Sequence, residues 1–269
     1  MARVGRGSAY IGTSGYSYED WRGRFYPREL SQARWLEFYS QRFPTVELNV
    51  TFYRLPSEAA FRSWYQRTPP AFQIAVKGSR FITHVKRLKD VDEPVQLFFK
   101  RAGLLGEKLS VVLWQLPPSM RLDLKRLEGF VRLLIRRRTL RHALEVRHPG
   151  WLVPETRRLL EGSNIALCQT DWPDCPVEEP PAADFAYVRR HGTGGWLYGG
   201  RYPSAQLQRD AETISRWRQE GRDVFCYFNN DQHAYAAVNA GELIELVRSR
   251  RSGRNTSDTA ESSARGPCP

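Results

Sequence analysis

Phe185-Ala-Tyr-Val-Arg-Arg-His191 is apolar for most of its length and closes on three charged or polar residues, the signature of a short buried strand ending at a polar rim. Seven other runs repeat it: Tyr10-Ile-Gly-Thr-Ser14, Thr45-Val-Glu-Leu-Asn-Val-Thr51, Phe72-Gln-Ile-Ala-Val-Lys77, Leu109-Ser-Val-Val-Leu-Trp-Gln115, His142-Ala-Leu-Glu-Val-Arg147, Ile165-Ala-Leu-Cys-Gln-Thr-Asp171 and Asp223-Val-Phe-Cys-Tyr-Phe-Asn229. Helix-like segments separate most of them. Eight strand–helix alternations in roughly 250 residues predict an α/β protein, a (β/α)8 TIM-like barrel, whose chemistry belongs at the C-terminal strand ends.

The helices are expected over 31–43, 57–67, 93–105, 123–138, 154–161, 204–220 and 231–248. Ser31 and Ser57 are placed to cap the first two, and Pro154 sits at a tolerated first-turn position. The sixth unit is irregular: residues 172–183 are too short and proline-rich for a helix, so strand six should reach strand seven through a loop. Residues 1–9 are expected to be a flexible lead, 10–248 the barrel domain, and 249–269, which lack apolar periodicity, a disordered tail carrying Cys268.

Composition narrows the class. Of 269 residues, 41% are hydrophobic and 12% aromatic, enough for a large core. No apolar run approaches the roughly 20 residues of a membrane span, so no membrane partner is expected. The first residues lack the apolar core of a secretion signal, and the four cysteines form no CxxC pair, which together predict reduced thiols and a cytoplasmic protein. The net charge of +12 invites a polyanion, but 35 of the 41 basic residues are Arg, a skew that genome composition can produce. Arg136-Arg-Arg138 reads as the solvated end of a helix.

Alternation along each strand gathers polar side chains on one face. Glu47, Asn49 and Thr51 share a face of strand two; Glu145 and Arg147 of strand five; Tyr187, Arg189 and His191 of strand seven; Tyr227 and Asn229 of strand eight. These rows should converge at one mouth, either as a satisfied ion-pair lattice or as a site. Lys77 closes an apolar strand and serves as an anion ligand, a salt-bridge partner of Glu47 or Glu145, or a Schiff-base nucleophile; glutamates nearby favour the charged state over the nucleophile. Among the histidines His191 is the preferred acid–base group, His84 and His148 lie near the mouth, and His142 and His233 are read as structural. Glu145, His148, Asp171 and His191 are the right ligand types for a divalent ion, but no HxH or HExxH spacing supports one; no metal set is assigned and no cofactor is named. Gly12-Thr-Ser-Gly15 and Gly192-Thr-Gly-Gly195 read as tight turns. Tyr16, Tyr18, Trp21, Phe25 and Tyr26, with Trp151, Trp172, Trp196, Tyr198 and Tyr202, either stack on bases or sugars or pack a lid.

Several of these segments resemble the YecE-like family, domain of unknown function seventy-two. They are Gly12-Thr-Ser-Gly-Tyr-Ser-Tyr18 with Trp21 and Phe25-Tyr-Pro27; Val46-Glu-Leu-Asn-Val-Thr-Phe-Tyr53; Lys77 with Ile82-Thr-His84; Gln115-Leu-Pro-Pro118; Glu145-Val-Arg-His148 with Trp151; Val188-Arg-Arg-His-Gly192; and Tyr227-Phe-Asn-Asn230 with Asn239-Ala240. Tyr16 and Val50 depart from the family's usual Trp and Ser. The resemblance implies a (β/α)8-like barrel and no particular reaction; its likeness to endonuclease-type and sugar-isomerase barrels is one of fold, and suggests a phosphoester hydrolase by analogy only.

The expectation is therefore an enzyme acting at the barrel mouth on a phosphate-bearing small molecule or nucleic acid. Glu145 and His191 form the acid–base pair, and Lys77 joins Arg147 and Arg189 in holding the anion. Glu47, Asn49, His84, Gln115, Asp171, Tyr227 and Asn229 complete substrate binding. The alternatives are a non-catalytic nucleic-acid-binding module and a carbohydrate-active or isomerase-type enzyme with Glu47 and Glu145 as paired carboxylates.

Overall fold

The computed structural model describes residues 5–137, 139–193 and 197–252. Nine parallel strands form one sheet that curls into a nearly closed barrel: β1 (Ala9–Ser14), β2 (Thr45–Leu48), β3 (Gln73–Lys77), β4 (Leu109–Gln115), β5 (Arg141–Glu145), β6 (Ile165–Leu167), β7 (Gln169–Thr170), β8 (Phe185–Arg190) and β9 (Asp223–Phe228), in the order β6-β5-β4-β3-β2-β1-β9-β8-β7. The count of nine comes from the predicted sixth strand. Its first half, β6, pairs with β5, the Cys168 amide still donates to Leu144 O (2.9 Å), and its second half, β7, pairs with β8. One extended segment thus changes partner at Cys168 and brings the two edges of the sheet together.

Around the sheet lie α1 (Trp35–Ser40), α2 (Val50–Tyr53), α3 (Glu58–Gln66), α4 (Asp92–Ala102), α5 (Leu124–Leu134), α6 (Pro154–Gly162), α7 (Ser204–Gln219) and α8 (Tyr235–Ser252). As expected, no helix covers the segment between β7 and β8; it is tied down by reciprocal Thr170–Val177 backbone bonds. The missing helix leaves a cavity of about 390 Å³ outside β8 and α7, lined by Val177, Arg190, Asp210 and Trp217. Ser57 caps α3 by accepting from the Ala60 amide (3.3 Å), and Asp123 caps α5 by accepting from Arg126 N (3.0 Å). Asp123→Ala should cost about 1 kcal/mol, measured by urea unfolding. Ser31 makes no side-chain cap bond, because the chain there opens with a 3-10 turn over Gln32–Arg34.

Some strand ends fall short of expectation. Strand two stops at Leu48 and turns into α2, where Thr51 Oγ1 donates to Leu48 O (2.9 Å) and Lys77 O (2.6 Å); Thr51 therefore leaves the inward row. The last helix runs to Ser252, past Arg248, while Gly7 and Ser8 in the lead are hydrogen-bonded to Arg218 and Asp223. The remaining tail with Cys268, the first four residues, Arg138, and Gly194, Gly195 and Trp196 lie outside the described residues. Cys168, Cys175 and Cys226 are buried free thiols. No helix among the described residues is long and apolar enough to cross a membrane.

Alternation sorts the apolar side chains into two cores. Ala75, Val111, Leu113, Ala143, Phe185, Tyr187 and Phe225 fill the barrel, and Ile11, Val46, Ile74, Trp114, Phe130 and Leu243 belong to the layer between sheet and helices. An Arg141–Asp223 ion pair (2.8 Å), its guanidinium 5.3 Å from the Phe185 ring and 5.7 Å from Phe225, lies at the N-terminal ends of β5 and β9. The opposite, C-terminal end carries the polar rows.

Candidate active site

Arg189, on β8, is fully buried and forms the hub of that polar end. Its Nη1 donates to Glu145 Oε2 (2.6 Å), and its Nη2 to Glu47 Oε1 (2.9 Å) and Ser14 Oγ (3.0 Å). Arg147 Nε donates to the second Glu145 oxygen (2.9 Å), and the Tyr187 hydroxyl to Glu47 Oε2 (2.6 Å). Ser14 also donates to Glu47 and accepts from Asn49 Nδ2 (2.8 Å). Parallel register makes this convergence possible, since Ser14 aligns with Glu47, Gln115 with Glu145, and Arg189 with Tyr227. Two carboxylates thus meet two guanidiniums. Burial alone would raise the Glu145 carboxyl, but Arg147, Arg189 and His191 outweigh it and hold the group well below the usual carboxylate range.

Above this floor lies a cavity of about 570 Å³, bordered by Asn49, Lys77, Arg189, Asn229 and Asp231 and by the aromatic walls Tyr16, Tyr18, Tyr53, Trp64 and Tyr198. Lys77 is only 8% exposed, yet among the described residues its amine makes no hydrogen bond or ion pair; Nζ rests 4.2 Å over the Phe52 ring. Burial, then the charge of Arg189, with Arg147 adding to it, lower its pKa to about 7 despite Glu145. Asp231 shows the converse. Burial raises its carboxyl to about 8 against the pull of Tyr18 and Arg189, and its Oδ1 is buried without a partner. The neighbouring Tyr18 hydroxyl donates to Ser14 O (2.5 Å). Burial thus pushes both Lys77 and Asp231 toward their neutral forms.

Of the residues expected at the site, Lys77, Asn49, Arg189 and Asn229 border this cavity. Glu47 and Glu145 do not; both are fully buried and share Arg189, so this pair does not flank the cavity as the carbohydrate-type reading requires. Glu145 also cannot fill the expected acid–base role, because both its oxygens serve guanidiniums that keep it ionised. His191 is 1% exposed and sits in the same floor: Nδ1 accepts from Asn229 Nδ2 (3.2 Å), Nε2 lies 3.3 Å from Glu145 Oε1 without hydrogen-bonding geometry, and burial lowers its pKa. It positions Asn229 and does not face the cavity.

The others are dispersed around this floor. Arg147 stacks 3.7 Å over Trp172 and commits only Nε, so its two terminal nitrogens have no protein partner among the described residues. His84, on a single π turn (Phe81–Val85), bonds Thr83 and meets the Phe52 ring edge-on; burial and the Lys77 and Arg147 charges lower its pKa to about 4. Gln115 is bonded to Leu116 O (2.6 Å). Asp171 holds a loop, accepting from the His191 amide (2.7 Å) and the Tyr202 hydroxyl. Tyr227 lies one layer lower, its hydroxyl bonded to Thr45 Oγ1 (2.8 Å). His142 is structural, as expected: it faces outward, takes the Trp114 indole N–H (3.4 Å) and is held neutral by burial. His148 accepts from the Gly150 amide (3.0 Å).

Sequence reasoning missed Ser14 and Asp231 as site residues. Asp231 lies two positions beyond the expected end of the last strand, so counting two further residues at each strand end would have found it. The aromatic question divides: Trp21, Tyr26 and Trp151 are buried packing, with the Trp21 indole donating to Asp231 O (2.8 Å), whereas Tyr16, Tyr18 and Tyr198 face the cavity. Trp196 lies outside the described residues.

The likeness extends to known proteins. The family described as "Protein of unknown function DUF72" matches residues 10–264. The UPF0759 protein YunF of Bacillus subtilis is 28% identical, covering 91% of this chain and 96% of its own. The UPF0759 protein YecE of Escherichia coli is 31% identical over 84 residues, 31% of each chain. Among solved structures, a DUF72 family protein from Thermotoga maritima superposes with a TM-score of 0.79 at 30% identity, over 90% of this chain and 99% of that one. One from Enterococcus faecalis, at 19% identity, superposes with a TM-score of 0.76 over 89% and 95% of the two chains. With the family match over most of its length and the barrel in hand, the chain belongs to the DUF72 family.

Proposed function

We propose that the chain is an enzyme acting on a phosphate-bearing small molecule at the C-terminal barrel mouth, with Asp231 as the acid that delivers a proton to the reacting group. One observation carries the reading: in a cavity of about 570 Å³ a carboxyl whose pKa burial raises shares the walls with an amine that no carboxylate pairs. Glu47 and Glu145 are balanced by Arg189 and Arg147, so Lys77 is surplus positive charge, and the charge of Arg147, which keeps two donors free, reaches it. Such a field favours an anion. Asn49 and Asn229, fixed by Ser14 and His191, orient the neutral part of the substrate.

Sulfate, whose charge is constant above pH 4, tests the anion site by thermal shift. Lys77 holds a proton below about pH 7 and loses it above, so sulfate affinity should fall as pH rises through 7, by up to about tenfold per unit. Arg147→Gln should weaken it at every pH. Absence of saturable stabilisation by sulfate, phosphate and a panel of phosphorylated metabolites would end the reading. Asp231→Asn should leave anion binding intact and abolish turnover of whichever substrate the panel reveals.

A second reading has its own observation. Tyr53 is 72% and Phe81 45% exposed beside a groove of about 510 Å³ that Arg54 and Arg80 also line, next to the mouth. Exposed rings with arginines suit a single-stranded nucleic acid as carrier of the phosphate. Oligonucleotide affinity with a steep salt slope, lost in Tyr53→Ala with Phe81→Ala, supports it; the same affinity surviving Asp231→Asn with no strand cleavage points to a binding module.

A further inference from the structure

We propose that Lys77 is an amine nucleophile: its Nζ, facing the mouth cavity without an ion-pair partner and with the Asp231 carboxyl on the same walls, forms a Schiff base with a small aldehyde or ketone that also carries an anionic group. The inference rests on the reading of the mouth as an anion site and names its substrate class.

A second buried lysine in this chain shows what a structural role demands. Lys108 Nζ donates to Tyr65 O (2.5 Å), Thr68 O (2.7 Å) and Thr68 Oγ1 (3.1 Å), using all three of its protons on the last turn of α3 and the residues after it. Lys77 has none of this. The carboxylates that might have served it are occupied: Glu145 by Arg147 and Arg189, Glu47 by Arg189, Ser14 and Tyr187. The charged groups around it are Arg189, Arg147, Glu145 and Glu47, with the neutral His84 across the Phe52 ring. Burial first, then the arginine charges, lower the pKa of Lys77 to about 7. A lysine beside other cations in a dry pocket is the form in which an amine attacks carbonyls. Composition points the same way. Arg supplies 35 of 41 cations in this chain, and an arginine would serve an anion equally well; only a lysine offers a free electron pair at neutral pH.

The chemistry balances without a further reactant. The neutral amine adds to the carbonyl carbon, a C–N bond forms, and the carbonyl oxygen takes a proton from Asp231 to give a carbinolamine, while the nitrogen returns its extra proton to the Asp231 carboxylate. The same carboxyl then protonates the hydroxyl, the C–O bond breaks, and water leaves. The product is a protonated imine, with Asp231 ionised until water reverses the sequence. Arg189, which borders the cavity, supplies the field that favours the substrate's carboxylate or phosphate, and the ionised Asp231 on the same walls offsets the positive imine.

The test uses the full chain with pyruvate or glycolaldehyde phosphate and sodium cyanoborohydride at pH 7, read by intact mass and peptide mapping. An adduct should form at Lys77 at least about tenfold faster than at the exposed Lys86, Lys89, Lys100 and Lys125, saturate with probe, and vanish in both Lys77→Met and Lys77→Arg. Its rate should climb through pH 7 and level off while the surface lysines are still gaining, and Asp231→Asn should slow it. Labelling at Lys77 no faster than at the surface lysines with either probe overturns the proposal, and if sulfate still stabilises the protein, the anion reading survives that failure. A saturable Lys77 adduct that forms equally well with neutral acetone and is not blocked by sulfate upholds the nucleophile and sinks the anion reading instead.

Discussion

Arg189→Met should destabilise the protein by about 3–5 kcal/mol, the largest single-residue loss expected at the mouth. The side chain is fully buried and is the shared partner of two fully buried carboxylates, Glu47 and Glu145. Methionine fills a similar volume, so the loss would be electrostatic and not a cavity effect. Glu145 would keep Arg147, but Glu47 would be left with only neutral donors, Ser14 and Tyr187. For a domain of this size the expected fall in Tm is roughly 10 °C, with the midpoint of urea unfolding reduced in parallel. Adding Glu47→Gln to Arg189→Met should recover part of it, since the orphaned charge goes. A loss under about 1 kcal/mol for Arg189→Met would mean that water reaches this floor and that the hub is not the buried lattice described.

The strands and the convergence of their polar faces were legible because both depend on alternation, a property of neighbouring residues. The two rival readings of those rows also prove to be compatible. Glu47, Glu145, Arg147 and Arg189 are the ion-pair lattice, and Lys77 with Asp231 borders the cavity that rests on it. What the sequence hid was which charges cancel. Glutamates close to Lys77 favoured a charged lysine, but their oxygens are taken by arginines on β8 and after β5 and by Tyr187, a pairing set by register across the barrel and not by local sequence. The partner change at Cys168 is hidden for the same reason, since residues 165–170 look like one strand and differ only in what lies beside them. Thr51 was misplaced by its β-branched neighbourhood, which favours strand, while a bond to Lys77 O helps hold it in a helical turn.

Lys77→Met should do the opposite of Arg189→Met and strengthen the fold. A group whose folded pKa, about 7, lies below its unfolded value of about 10.4 opposes folding fully below pH 7, and its penalty fades as pH rises toward 10.4. Methionine should therefore gain about 1–3 kcal/mol at pH 6, after allowing for the lost contact with Phe52, and almost nothing near pH 10.5. Asp231 carries the inverse profile. Its folded pKa of about 8 exceeds the unfolded one, so its penalty is absent below pH 4 and complete above 8. Together the two make the empty mouth least favourable to stability between about pH 7 and 8, and Asp231→Asn should gain most on the alkaline side of that window. Urea unfolding of the three proteins from pH 5 to 10 separates these profiles. A Lys77→Met variant weaker than the parent at pH 6 would make Lys77 one more strut of the floor. A gain there would mean that folding alone does not account for a lysine at this position, which leaves the chemistry of the mouth as its reason.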